Sequence, residues 1–265
     1  MRILRVALDV PLSRLFDYVL PPGVDAEVGD RANDGLRIDG RDLRCKVVGE
    51  GGNLGLTQRG RIEAALAGVR LNTDAIDNSA GVDMSDHEVN IKILLDMLVK
   101  KGVIAGKDER NRLLARMTDE VGSLVLRDNY LQSQAISTLE LQARPRMSEF
   151  QHLIRSLELE GVLDRALEHL PSADEIEERR RAGRGLTRPE MAMLLSYSKI
   201  ALNNQLIASD VPEDPYLSRE LDRYFPDRLS KRYATLLGEH RLRREIIATS
   251  TTNSIVNRMG PTFVS

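Results

Sequence analysis

The stretch Arg44–Ile76, RCKVVGEGGNLGLTQRGRIEAALAGVRLNTDAI, is where the character of the chain is decided. Arg44–Val48 is a short apolar run of the kind that forms a buried strand, and glycines 49, 51, 52 and 55 follow it as a loop. LTQRGRIEAALAG has the residues of a helix, and VRLNTDAI reads as a second strand. A strand, a helix and a second strand in about 33 residues is the size of a parallel crossover. The glycine turn leaves backbone amides free ahead of a helix, as phosphate-cradling turns do. The dinucleotide fingerprint fits imperfectly: its third glycine falls at Leu54, and the acidic residue beyond the second strand is Asp74 or Asp77, further along than usual. A glycine turn with no ligand is the competing reading.

Downstream, DNSAGVDM reads as a loop, and SDHEVNIKILLDMLVKKG as a helix opened by Ser85 and Glu88 at capping-box spacing and closed by lysines and Gly102. Ser85 is a helix cap on this reading. Asn72, Asp74, Asp77, Asn78, Asp83, Asp86 and Glu88 lie close in sequence, but their spacing does not match a calcium loop, and a polar loop at a strand end accounts for them better. His87, His152, His169 and His240 include no pair three or four residues apart, so no metal ligands are assigned.

From Gly106 onward the apolar period is helical, with helices expected at about 108–143, 148–168, Leu186–Leu206 and 228–258, and an arginine-rich turn near 179–185. Thr187 and Glu190 have capping-box spacing with Pro189 in the first turn. Leu194, Leu195, Ile200, Leu202 and Leu206 form a stripe expected in the core. Arg179, Arg180, Arg181, Arg184 and Arg188 follow four acidic residues and read as a solvated, charge-compensated helix end. At the other end of the chain, residues 1–24 read as a short β segment closed by Pro21, Pro22 and Gly23.

Charge narrows the function classes. The 38 basic and 40 acidic residues are mixed along the chain, so no long-range field draws it to nucleic acid or an anionic membrane. No apolar run is long enough for a membrane helix, and the start lacks a signal-peptide pattern. Cys45 is the single cysteine, which excludes an internal disulfide and suits a reducing compartment; the cytoplasm is expected.

VGDRANDGLRIDGRDLR, KVVGEGGNLGLTQRGRIEAALAG, NTDAIDNSAGVDMSDHEVNIKILL, GLTRPEMAMLLSYSKI and HRLRREIIATS with NRMGPTF together resemble the large bacterial NAD-specific glutamate dehydrogenases, over about residues 26–265. EGGN at Glu50–Asn53 resembles the EGAN loop of the wider amino-acid dehydrogenase superfamily, and NSAGVDMS at Asn78–Ser85 its NAGGVxxS segment. The resemblance implies NAD as cofactor, with Gly51, Gly52, Asn53 and Asn78 near its nicotinamide end. It also implies that Ser85 approaches the side-chain carboxylate of L-glutamate or 2-oxoglutarate, and it moves the glycine loop from the pyrophosphate to the nicotinamide side. Residues 1–24 resemble instead the start of the primosomal replication-restart helicase, although no GxxxxGK[ST] occurs.

The expected fold is thus an α/β remnant of a Rossmann-like nucleotide-binding domain, then a mostly α-helical domain, after a short β segment. The expected divisions are 1–24, 25–102 and 103–265. The family reaction converts L-glutamate, NAD and water to 2-oxoglutarate, ammonia and NADH. It requires a substrate lysine, a catalytic aspartate and a pyrophosphate turn with no counterpart in these letters, so no catalytic residue is assigned and a fragment inactive alone is expected. The alternative is a non-catalytic helical interaction protein; a homo-oligomer is expected on either reading.

Overall fold

The computed structural model describes residues 19–20, 38–52 and 55–264. Among them two strands and twelve α-helices are found. Strands β1 (Val19–Leu20) and β2 (Ile38–Asp39) pair in parallel. The rest of the 1–24 segment lies outside the described residues, and so do residues 25–37 of the expected 25–102 division.

The chain is mostly helical. In chain order the helices are α1 (Gln58–Leu66), α2 (Asp74–Asp77), α3 (Ser79–Lys100), α4 (Lys107–Ala115), α5 (Thr118–Gln142), α6 (Met147–Leu159), α7 (Ala173–Arg181), α8 (Arg188–Ala208), α9 (Arg219–Tyr224), α10 (Asp227–Ser230), α11 (Ala234–Leu237) and α12 (Arg243–Met259). The described residues group into two compact units: those up to Asn78 with Ile136–Ser196, and Ser79–Ala135 with Tyr197–Val264, so that α5 and α8 each contribute to both.

In the first unit the expected strand, helix and strand are reduced to α1 flanked by a single parallel bridge, Val47 to Arg70. Val48 N donates to Arg70 O (2.9 Å) and Arg70 N to Lys46 O (2.9 Å). No Rossmann sheet is evident among the described residues, which corrects the α/β expectation to this extent. The physical reason is visible in burial. Val47 is exposed, while Leu56, Ala64, Val69 and Leu71 bury themselves against Leu43, Cys45 and Val48, so the apolar letters are satisfied by packing around α1 and not by a row of strands. Gly40 fits against α1 so closely that a Cβ there would meet Gly60 O at 2.3 Å. Further along, α6 is amphipathic: Met147, Phe150, Leu153, Ile154 and Leu157 recur at helical spacing and are all buried.

The second unit has one core. Ile91, Leu94, Leu95 and Leu98 of α3 pack with Met117, Val121 and Val125 of the α5 side and with Leu221, Phe225, Leu229, Tyr233, Leu237, Ile246 and Ile247. Each such side chain contributes roughly 1.5–3 kcal/mol on burial. Gly102, the expected terminator of α3, has φ 70°, and Val103 N donates back to Leu98 O, the return that a left-handed residue permits.

Several expectations change. The 108–143 helix is two, α4 and α5, broken where Met117 turns into the core at 1% exposure. The 148–168 helix stops at Leu159, and 228–258 is α10, α11 and α12. Of the arginine-rich turn expected near 179–185, Arg179–Arg181 are the last turn of α7 and residues 182–183 are the turn that follows it. Ile200 is exposed and Leu202 and Leu206 half-buried, so of the α8 stripe only Leu194 and Leu195 are core residues.

Candidate functional site

The glycine turn rests on a buried carboxylate. Glu50, at the end of the bridged segment, accepts from Arg61 of α1 twice, Nε to Oε2 at 2.6 Å and Nη2 to Oε1 at 3.0 Å. Its Oε1 also accepts from Leu56 N (3.0 Å), on the far side of the turn. One side chain therefore ties both stems of the 51–55 loop to α1. Burial works against the Arg61 cation, but the hydrogen bonds and charge of Glu50, with Asp74 and Asp77, outweigh it, and its pKa is raised. Charge-assisted, two-pronged pairing of this kind fixes geometry as well as energy.

A second link brings the 77–78 segment to the same place. Glu50 N donates to Asp77 Oδ2 (2.9 Å), and Asp77 Oδ1 accepts from Asn72 Nδ2 (2.9 Å). Asn72 Oδ1 in turn accepts from Arg188 Nε (3.1 Å), and Arg188 reaches Glu140 (2.7 Å). The residue after Glu50 is Gly51 and the residue after Asp77 is Asn78, so the predicted cofactor residues Gly51, Gly52 and Asn78 converge. Gly51 and Gly52 are exposed, and a Cβ added at either would have no heavy atom within 4 Å. Their backbone is open to a ligand. Asn78 is half-buried, at the end of α2, with its N–H donated to Asp74 O. Asn53 lies outside the described residues.

Asp74 and Asp77, the ribose candidates of the fingerprint reading, are engaged inside the chain. Asp77 holds Glu50 N and Asn72, and Asp74 lies 3.2 Å from Arg61 Nη2. Arg179 and Arg188 are likewise structural partners and not part of a solvated helix end: Arg179 pairs at 2.8 Å with Glu190, which is fully buried. Glu190 also accepts from Thr187 N and Thr187 Oγ1, both at 2.7 Å, which is the glutamate half of the box expected at the start of α8.

Ser85 belongs to the second unit. It is not a helix cap, because α3 begins at Ser79 and the whole DNSAGVDM loop after Asn78 is helical. Its exposed hydroxyl donates to Val82 O (2.7 Å), the back-bond of a serine within a helix, and Glu88 pairs with Lys92 one turn on. The polar residues assigned to a loop here thereby gain helical spacing.

That spacing exposes a cluster the sequence reading passed over. Asp83 and His87 stand one turn apart on α3, and Asp128 of α5 faces them, with one ligand atom of each within 4.8 Å of the others. Burial, aided by Asp128 and Asp86 and opposed by Arg127 and Lys199, pushes the Asp83 carboxyl up to about 7. Burial also pulls Lys199 of α8 down to about 8, against the pull of Asp128 and Asp83, and its ammonium donates to Gln132 at 2.6 Å. The His87 ring stacks on Tyr224 at 4.4 Å, and Tyr224 donates to Asp86 (2.7 Å) while accepting from Asn90 (2.8 Å). The i, i+4 pair of Asp83 and His87 was legible as a signal; a search confined to histidine pairs misses it.

Residues 21–139 match the family model described as bacterial NAD-glutamate dehydrogenase, catalytic domain, and residues 183–265 the one described as glutamate dehydrogenase, C-terminal. The chain is 57% identical over 240 residues to the NAD-specific glutamate dehydrogenase of Halomonas elongata, a match covering 91% of this chain and 15% of that protein. The enzyme of the same name from Pseudomonas aeruginosa is 55% identical over 90% of the chain and 15% of its own length. That of Mycobacterium tuberculosis is 45% identical over 98% of the chain and 16% of its own length. The chain thus spans about 15% of the length of the curated relatives it matches.

Proposed function

The chain belongs to the bacterial NAD-specific glutamate dehydrogenases, as a C-terminal region of them, and from that premise we propose that it supplies one edge of their nicotinamide and glutamate site. The observation that carries this reading is the Glu50 to Asp77 hydrogen bond, which joins the exposed Gly51–Gly52 turn to Asn78. NAD, if held there, would supply the hydride acceptor of the proposed reaction. The residues of this chain fit the cofactor as a contact surface: glycines let a planar ring approach the backbone, and a carboxamide such as that of Asn78 offers both a donor and an acceptor. By resemblance Asn53 belongs with this cofactor surface, and Ser85, in the second unit, is assigned separately to the carboxylate of glutamate or 2-oxoglutarate.

Proton transfer and activation of water have no residues assigned in this chain, so the proposal includes its inactivity alone. The single bridge of Val47 with Arg70 and the helix α1 between them are read as the remnant of a nucleotide-binding sheet, and the division at 102 as one of ancestry, apart from the division in packing. The resemblance of residues 1–24 to the helicase stands on those letters alone. The Mycobacterium tuberculosis match covers 98% of the chain and so extends into them, which favours a dehydrogenase origin there too.

The test pairs a coupled glutamate and NAD assay with saturation-transfer NMR at millimolar NAD. The expected result is no turnover, with nicotinamide signals that weaken in Gly52→Val. Turnover would overturn the incompleteness, and an unchanged or absent transfer in both proteins would overturn the cofactor edge. A second reading, a helical interaction module, is favoured by one observation: Leu126 and Tyr130 stand one turn apart on α5 and are both more than 60% exposed. Sedimentation showing a dimer that Leu126→Glu dissociates would support it.

A further inference from the structure

His87 of α3 is a buried polar side chain of the second unit. Its side chain is 2% exposed, and neither ring nitrogen has a hydrogen-bond partner. Asp83 Oδ2 is buried without a partner as well. Nε2 of His87 lies 3.9 Å from Asp83 Oδ1, too far for a hydrogen bond. Buried polar atoms in native proteins are almost always satisfied, so an unpartnered imidazole beside an unpartnered carboxylate oxygen, in a cluster whose ligand atoms lie within 4.8 Å of one another, implies something that binds there.

The surroundings hold the ring in that attitude. Tyr224 stacks on it, with the tyrosine hydroxyl fixed between Asp86 and Asn90, so the imidazole cannot swing out to find water. Asp128 approaches from α5 and is half-exposed, which leaves a path from solvent.

We propose that Asp83, His87 and Asp128 bind a divalent transition ion, with Zn²⁺ as the best fit, which clamps α3 to α5. One imidazole and two carboxylates form the mixed nitrogen and oxygen set that zinc accepts, with water completing the shell. Calcium and magnesium require more oxygen ligands than converge here. Two ligands of one tetrahedral ion stand roughly 3.3–3.5 Å apart, so small side-chain rotations bring the 3.9 Å pair into range. Ser85 lies between Asp83 and His87 on the same helix, so the ion would steady the residue proposed for glutamate; the metal site itself does not depend on that proposal.

The opposing charges are Lys199, which acts on both Asp83 and Asp128, and Arg127, whose Nε donates to Asp128 Oδ1 at 3.3 Å. They compete with an ion for the same carboxylates.

The experiment uses the full chain, free of a histidine tag and stripped with chelator. Zn²⁺ is titrated by calorimetry, and Co²⁺ by its visible absorption. One ion per chain is expected, with affinity lowered by about tenfold or more in Asp128→Asn and His87→Gln, and raised in Lys199→Gln. Asp128 is half-exposed, so its variant keeps the test valid where the buried histidine variant does not fold. Absence of saturable binding, or binding that Asp128→Asn leaves unchanged, would overturn the site.

Discussion

Arg61 of α1 donates from Nε and Nη2 to the two oxygens of Glu50, and both side chains are less than 8% exposed. The pair anchors the glycine turn, and its energetics follow from burial. Removing one partner leaves an uncompensated charge in a dry site, so Arg61→Met should destabilise the chain by about 3–5 kcal/mol. Arg61→Met with Glu50→Leu should recover much of that loss, although Leu56 N and the turn lose their acceptor. Urea unfolding of the single and double variants measures both. A single variant within 0.5 kcal/mol of the parent would show that the pair is not dry.

Glycines on the two sides of this region should behave oppositely. Gly40→Ala drives a Cβ into Gly60 O and Ala64 N, backbone atoms that cannot step aside, and should cost about 1–3 kcal/mol. Gly51→Ala and Gly52→Ala meet nothing and should leave the thermal midpoint within about 2 °C. Equal effects at the three positions would contradict the packing described.

His240 should give the second unit an acid sensitivity. Nδ1 accepts from Leu242 N (3.0 Å), so the proton resides on Nε2, which faces Asn90 O at 3.0 Å. Burial lowers the pKa below the ordinary 6.5, with the Asn90 carbonyl and Glu245 opposing and Arg241 assisting. Between the lowered folded value and 6.5 the unfolded chain binds more protons, so stability falls as pH drops through 6.5 and levels off below the folded value. His87 shifts in the same direction, so the difference between the parent and His240→Gln is the quantity to measure. Parallel stability curves from pH 7 to pH 5 would contradict the assignment.

Ser172 caps α7. Its hydroxyl accepts from Glu175 N (3.2 Å), and Glu175 Oε2 accepts from Ser172 N (2.7 Å). That backbone hydrogen bond, with the serine hydroxyl, holds the Glu175 carboxyl below its usual range. Ser172→Ala should cost about 1 kcal/mol in unfolding free energy, and Ser172→Asp far less. Equal losses in the two would show that the cap does not hold the helix.

The helical character of the second half was legible because the apolar period repeats every three or four residues, as Met147–Leu157 shows. Gly102 as a terminator and the Thr187 and Glu190 pair were legible too, since each is a local signal. The cap at Ser85 was misread for an instructive reason. Ser-x-x-Glu is compatible with a helix start and with a serine inside a helix, and only the helical conformation of the six residues before it separates the two. The strands read at Arg44–Val48 and Val69–Ile76 reduce to one bridge because an apolar run records the wish to be buried and not the partner that buries it.

By itself the sequence determined the helical composition, the ends of several helices, the family resemblance, and the residues Gly51, Gly52, Asn53, Asn78 and Ser85 that the resemblance picks out. These are matters of neighbouring letters, where spacing of a few residues sets which side chains share a face. Only the tertiary structure decided that Glu50 reaches Asp77 across 27 positions, that Arg188 reaches Asn72 across 116, and that Asp128 meets Asp83 and His87. Pairings at such separations depend on where the chain returns after folding, because a hydrogen bond or a ligand set requires atoms within a few ångströms and sequence distance places no bound on that.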